Sequence, residues 1–211
     1  VFDYKKLEYY NGNYIRQLST EELYKWTLPF ITGTGDATLE INPENPQPKP
    51  NVGPEFSGVA LGEDGRPYCV DKSMNMSTED VEKTLMGLMP LIQERLKFLT
   101  EAAEMVHFMF TEPAVPPAEQ LIPKKIDAAK TKEVLEAAKD FVDKCFTLDH
   151  EGAEELAKAK AEALGIKLGD FMMPIRMAVT GSRVSPPLIG SIVVLGKEKA
   201  LARIEKAIVT L

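Results

Sequence analysis

The chain has 211 residues, 44% of them hydrophobic and 27% charged, which is enough for one large or two small folded domains. Its formal net charge of −7, taken as an average, speaks against a nucleic-acid partner. No apolar run approaches the ~20 residues that a membrane-spanning helix needs, so no membrane partner is expected.

The chain opens on Val1-Phe2-Asp3-Tyr4-Lys5-Lys6 with no apolar h-region, so no secretory signal is expected. It lacks a starting Met and begins beside a helix, as a segment of a longer polypeptide would. Cys69 and Cys145 lie far apart and outside any CxxC pair, the pattern of two free thiols in a reducing cytoplasm. Asn75-Met76-Ser77 is then a chance match to a glycosylation acceptor.

Ser19-Thr20-Glu21-Glu22 is a capping box that opens a short helix, which Pro29 is expected to stop. Residues 31–76 change character, with prolines at 43, 46, 48, 50, 54 and 67 and glycines at 33, 35, 53, 58, 62 and 65. Helix cannot continue there and apolar residues are too sparse for a core. A long Pro/Gly-rich loop or insertion is predicted, with a hairpin around Glu63-Asp64-Gly65-Arg66. From Ser77 a helical stripe returns through Val81, Leu85, Leu88, Met89, Ile92 and Leu96, with Pro90 expected to kink or split it. Thr100–Phe110 reads as a further helix. The Pro-rich connection Pro113–Pro123 is the expected domain boundary. Beyond it come helices over Thr131–Cys145, Asp149–Leu164 with Gly165 as stop, and Asp170–Thr180 ended by Gly181. Ser185-Pro186-Pro187 opens a fourth with Ser185 as N-cap, and Lys197–Leu211 forms the last. The predicted fold class is all-α, a two-part helical array with a long Pro/Gly-rich insertion.

Charge is divided unevenly along this layout. Residues 31–80 hold three Lys/Arg against nine Asp/Glu, a local net of −6. Residues 171–211 hold six (Arg176, Arg183, Lys197, Lys199, Arg203, Lys206) against Glu198 and Glu205, a local net of +4. A basic end on an acidic protein fits a localised phosphate contact, and it equally fits a solvated helix face.

Patterned chemistry is sparse. His107 and His150 have no partner at metal-ligand spacing. Gly33-Thr34-Gly35 lacks a third glycine and a strand-to-helix setting, and neither GxxxxGK[ST] nor GxSxG occurs. The methionines lie on apolar helical faces, as core filler. No catalytic residue, metal or cofactor is expected within the chain. What remains is binding. Arg176 stands on an otherwise apolar helix, where its charge must leave the core or meet a partner. Ser185, Pro186, Leu188 and Ile189 would present a rigid helix start and apolar surface to unstacked RNA bases. A tight turn between packed helices, with a snorkelling arginine, accounts for the same residues.

Three motifs carry a family resemblance: Pro174-Ile175-Arg176-Met177-Ala178-Val179-Thr180-Gly181, then Val184-Ser185-Pro186-Pro187-Leu188, then Leu195-Gly196-Lys197-Glu198. Together they resemble the C-terminal signature of bacterial glutamyl-tRNA synthetases. Lys6-Leu7-Glu8-Tyr9-Tyr10-Asn11-Gly12-Asn13-Tyr14-Ile15-Arg16 is similar to that family's segment after its catalytic core, part of a helical domain contacting the tRNA stem. The resemblance covers residues 1–30 and 77–211.

That resemblance implies the following. Residues 1–30 end a stem-contact domain and 31–76 are an insertion. Residues 77–112 and 124–211, joined by a 113–123 linker, form an anticodon-binding α-helical cage. Arg176 matches an arginine touching anticodon-loop bases, and Ser185, Pro186, Leu188 and Ile189 match a turn packing on the anticodon. Ser replaces a Thr there and Ile an aromatic, so stacking is weaker. Arg95 aligns with an arginine that reads the last anticodon base and accompanies enzymes charging glutamate tRNA alone. The HIGH-like and KMSKS-like catalytic signatures are absent. ATP, Mg²⁺ and glutamate are therefore expected for the parent enzyme and not for this chain. A monomeric cytoplasmic protein that binds tRNA and not DNA is expected. A helical protein-interaction scaffold and the tail of a related lysyl-type class I synthetase are the alternatives.

Overall fold

The computed structural model describes residues 3–35 and 52–211. They fall into two units, Val1–Glu112 and Pro113–Leu211, each with its own core. Within the described residues, helices make up the architecture apart from one two-stranded hairpin, and the predicted all-α class holds.

In the first unit, α1 (Tyr4–Ile15) starts where the Asp3 carboxylate accepts from the Lys6 N–H at 3.2 Å. The Gln93 side-chain amide donates to Ile15 O (2.9 Å) and Leu18 O (2.7 Å), tying the turn after α1 to the end of α4 (Thr78–Gln93). Helix α2 (Thr20–Thr32) opens on the predicted capping box: Ser19 Oγ accepts from Glu22 N–H, and the Glu22 carboxylate accepts from Ser19 N–H. These bonds hold the Glu22 carboxyl below its ordinary range.

Two expectations about proline are corrected here. Helix α2 runs past Pro29 to Thr32, and α4 is a single helix across Pro90. An internal proline costs about 3 kcal/mol. Against that, α2 buries Leu23, Thr27 and Ile31, and α4 buries Val81, Leu85, Leu88, Met89 and Ile92. At about 1.5–3 kcal/mol per buried aliphatic side chain, the stripe outweighs the missing hydrogen bond. Helix α5 (Ala102–Phe110), led by a 3₁₀ turn over Leu99–Glu101, closes this core with Val106, Phe108 and Phe110.

The predicted insertion divides. Residues 36–51 lie outside the described residues. Residues 52–76 form a short helix α3 (Pro54–Ser57) and a hairpin of β1 (Val59–Leu61) and β2 (Pro67–Cys69), in antiparallel register Val59↔Cys69. The tip falls at the predicted Glu63–Arg66, where Gly62 N–H bonds Arg66 O (2.9 Å). The expectation that this stretch could not join a core is corrected: Ser57, Val59 and Cys69 are buried. The reason is that main chain, more than side-chain bulk, supplies the contact. Ser57 Oγ donates to Ile31 O at 2.6 Å, and Cys69 Sγ to Phe110 O at 3.3 Å. Gly33 and Gly53 bring two backbones together, since a Cβ on Gly33 would sit 2.9 Å from the Gly53 Cα. Gly53 N–H bonds Phe30 O across that approach (2.8 Å).

The second unit holds α6 (Ala118–Leu121), α7 (Ala128–Lys144), α8 (His150–Ala163), α9 (Leu168–Thr180), α10 (Leu188–Leu195) and α11 (Lys197–Thr210). Asp127 and Asp149 cap α7 and α8 by accepting from Lys130 N–H and Gly152 N–H. Phe141 of α7 meets Phe171 of α9 edge-on at 5.8 Å between ring centroids. Helix α8 contributes a narrow stripe of Ala153, Ala157 and Ala161, and α11 lies on α7 and α9 through Ala200, Ile204, Ala207 and Ile208.

Candidate nucleic-acid interface

The stretch singled out by sequence, Arg176 to Ile189, is the end of α9, a turn over 181–187 and the start of α10. Its path is set by hydrogen bonds. Gly181 stops α9 with φ +69° and its N–H bonds Met177 O at 2.9 Å. A Cβ at Gly181 would lie 2.9 Å from Pro113 Cβ, so the turn is braced by the segment entering this unit. The Thr180 hydroxyl lies 2.9 Å from Arg176 O and 3.1 Å from Ser182 O, and accepts from Ser182 N–H at 3.3 Å. Val184 N–H donates to Ser182 Oγ at 3.1 Å.

Arg176 closes the far side. Its Nη1 donates to Ser185 Oγ, to Pro186 O at 3.0 Å and to Ser185 O at 3.4 Å. The structure thus brings Arg176, Ser185 and Pro186 into one half-buried clasp. The charge that could not stay bare on an apolar helix is met by main-chain acceptors.

Three expectations are corrected. Ser185 does not cap α10: the cap position is Pro187, without a side-chain hydrogen bond, and Ser185 Oγ turns to Arg176 and to Pro186 O. The two prolines fix the backbone at the helix start, so a hydroxyl cap is not needed to define it. Leu188 and Ile189 do not offer surface: they are 2% and 7% exposed, as α10 points its first turn into the core of this unit. Arg203, counted in the basic end, is 3% exposed and donates from Nη1 to Val179 O at 2.7 Å. It closes the last turn of α9 from inside. Arg95 follows α4 in the other unit, exposed, with its N–H bonded to Ile92 O.

Sequence reasoning missed one feature. On α1, Tyr9, Tyr10 and Tyr14 are exposed, and they share an arc with Lys5 and Lys6. Lys6 Nζ lies 6.0 Å from the Tyr10 ring centroid, and Tyr9 and Tyr10 meet edge-on. Plotting α1 at 100° per residue sets these residues opposite the buried Ile15, a signal the sequence does contain. Among the described residues no cluster of three or more His, Cys, Asp or Glu could hold a metal. None of their helices is long and apolar enough to cross a membrane.

An all-α unit carrying a clasped turn and exposed cations is the form of an RNA-loop binder, and comparison with known proteins agrees. Residues 61–208 match the family model of the anticodon binding domain, and the chain belongs to that family. The relatives are named glutamate–tRNA ligases. That of Treponema denticola is 48% identical over 208 residues, covering 99% of this chain and 38% of its own length. That of Roseiflexus castenholzii is 35% identical over 204 residues, covering 97% of this chain and 33% of its own length. This chain therefore spans little more than a third of such proteins, and it corresponds to their C-terminal portion. A crystal structure of a glutamate tRNA ligase from Elizabethkingia meningosepticum shares the fold over 100% of this chain and 33% of its own, with a TM-score of 0.52 and 19% identity.

Proposed function

We propose that this chain is the tRNA-binding portion of a glutamate–tRNA ligase, and that its second unit holds the anticodon loop of glutamate tRNA. The observation that carries this reading is the Arg176 clasp on the Ser185–Pro186 turn, which lies inside the segment matching the anticodon binding domain. Arg176 fixes the turn that faces the RNA, and Leu188 and Ile189 anchor that turn from within. Arg95, on the first unit, reads the last anticodon base. The exposed Tyr9, Tyr10 and Tyr14 with Lys5 and Lys6 suit the stem contact assigned to residues 1–30, since aromatic faces and cations together grip nucleic acid. The complete enzyme attaches glutamate to tRNA with ATP and Mg²⁺. Those ligands belong to the portion outside this chain, and no step through them is assigned to its residues. The protein acts in the cytoplasm as a monomer.

The test is filter binding of glutamate tRNA across a salt series. Affinity should fall with log salt at a slope of roughly −0.7 to −0.9 per phosphate neutralised. Arg176→Ala should weaken binding to glutamate tRNA more than to a tRNA with an unrelated anticodon. Equal loss for both would leave Arg176 a general contact. No RNA affinity beside a stable protein partner would favour a helical scaffold, and preference for lysine tRNA would favour the lysyl-type reading.

A further inference from the structure

Between Phe171 and Lys197 the chain contains no Asp or Glu, although the whole protein carries a net charge of −7. The cations of this acid-free stretch are Arg176, Arg183 and Lys197. Two are used inside the protein: Arg176 in the clasp, and Lys197 in an ion pair with Asp143. Arg183 is exposed and has no hydrogen-bond or ion-pair partner among the described residues. Next to it Val184 is 68% exposed, an apolar side chain at the crest of a polar turn.

The backbone beneath this pair is held on both sides. Gly181, Thr180 and Ser182 fix the approach, Val184 N–H is bonded to Ser182 Oγ, and Arg176 fixes Ser185 and Pro186. A side chain presented from a bonded turn loses less freedom on binding than one on a loose loop. Since Leu188 and Ile189 are turned inward, the part of this turn that can meet an RNA base is Arg183–Val184 and not the start of α10.

We infer that Arg183 and Val184 form the contact tip of the anticodon site. The Arg183 guanidinium pairs with a loop phosphate, and Val184 seats an unstacked base. This rests on the reading that the chain binds tRNA. Arg176 is then a positioning residue that holds the tip, and Arg183 supplies the exposed charge.

The experiment uses the complete polypeptide that carries this chain and whole glutamate tRNA. Arg183→Ala should weaken binding about 5- to 50-fold and reduce the salt slope by about 0.7–0.9. Its melting temperature should stay at the parent value, because the side chain has no internal partner to lose. Arg183→Lys should restore most of the affinity, and Val184→Ser should weaken binding several-fold without changing the slope. Lys199→Ala, an exposed cation on α11, serves as control. If Arg183→Ala binds within twofold of the parent with the same slope, the tip is wrong while the tRNA-binding reading stands. If the parent polypeptide itself has no affinity for glutamate tRNA, both readings fall.

Discussion

Arg176 shows how a single residue can be anticipated in kind and not in detail. An arginine on an apolar helix has to find water or acceptors, and that much follows from the sequence. Which acceptors it finds depends on the path of a turn nine residues away, because Ser185 O and Pro186 O arrive there through backbone geometry. Removing the side chain leaves those oxygens poorly solvated. Arg176→Ala should therefore lower unfolding free energy by about 1–3 kcal/mol in a urea titration, in addition to its effect on RNA affinity. Arg203 was legible only as charge: an arginine on an amphipathic helix reads as solvated until its neighbours are known. Cys145 was expected to be a free thiol, and burial pushes that thiol up to about 11. The native state thus holds the proton more tightly than the unfolded chain does. The linked stability is complete below the ordinary thiol pKa near 9 and is lost as pH rises through about 11. Alkylation of Cys145 by iodoacetamide at pH 8 should accordingly be slow, and should accelerate sharply once denaturant unfolds the second unit.

Elements were most legible where side-chain chemistry marks their ends. Ser19, Ser77 and Asp149 cap helices, and Gly165 and Gly181 follow them, each at its expected place. Ser19→Ala and Ser77→Ala should each cost about 1 kcal/mol, read as parallel shifts of the urea midpoint with unchanged slope. Elements were less legible where a local rule met packing. Pro29 and Pro90 break helices by propensity, yet each lies in a helix whose apolar stripe is buried on both sides of it. The turn before α10 failed for another reason. A serine ahead of two prolines looks like a cap, but Arg176 competes for its hydroxyl, and only the tertiary fold brings that competitor near. The burial of Leu188 and Ile189 was hidden for the same reason, since two aliphatic residues at a helix start can face either way. Residues 52–76 escaped because their contacts are made by Ser57 Oγ, Cys69 Sγ and glycine backbone, which leave no hydrophobic period to count.

At the scale of the molecule, the change in charge along the sequence marked the basic end, but it overstated the surface charge there. The net of +4 for residues 171–211 includes Arg203 inside the core and Lys197 neutralised by Asp143. The helical class, and a second compact unit beginning at Pro113, accord with the punctuation and periodicity of the chain. The close approach of Gly33 and Gly53 has a practical consequence. The backbone leaves the first unit at Gly35 and is back beside Gly33 by Gly53, with Gly35 N–H bonded to Pro29 O and Gly53 N–H to Phe30 O. The gap to be bridged is therefore short, and each doubling of a flexible bridge costs only about 0.6 kcal/mol. Replacing residues 36–51 with a brief Gly-Ser linker should leave the melting temperature of the first unit within a few degrees. The same doorway would accept a fluorescent reporter or an affinity handle spliced in at 36–51, on a protein whose two helical units remain as nature built them.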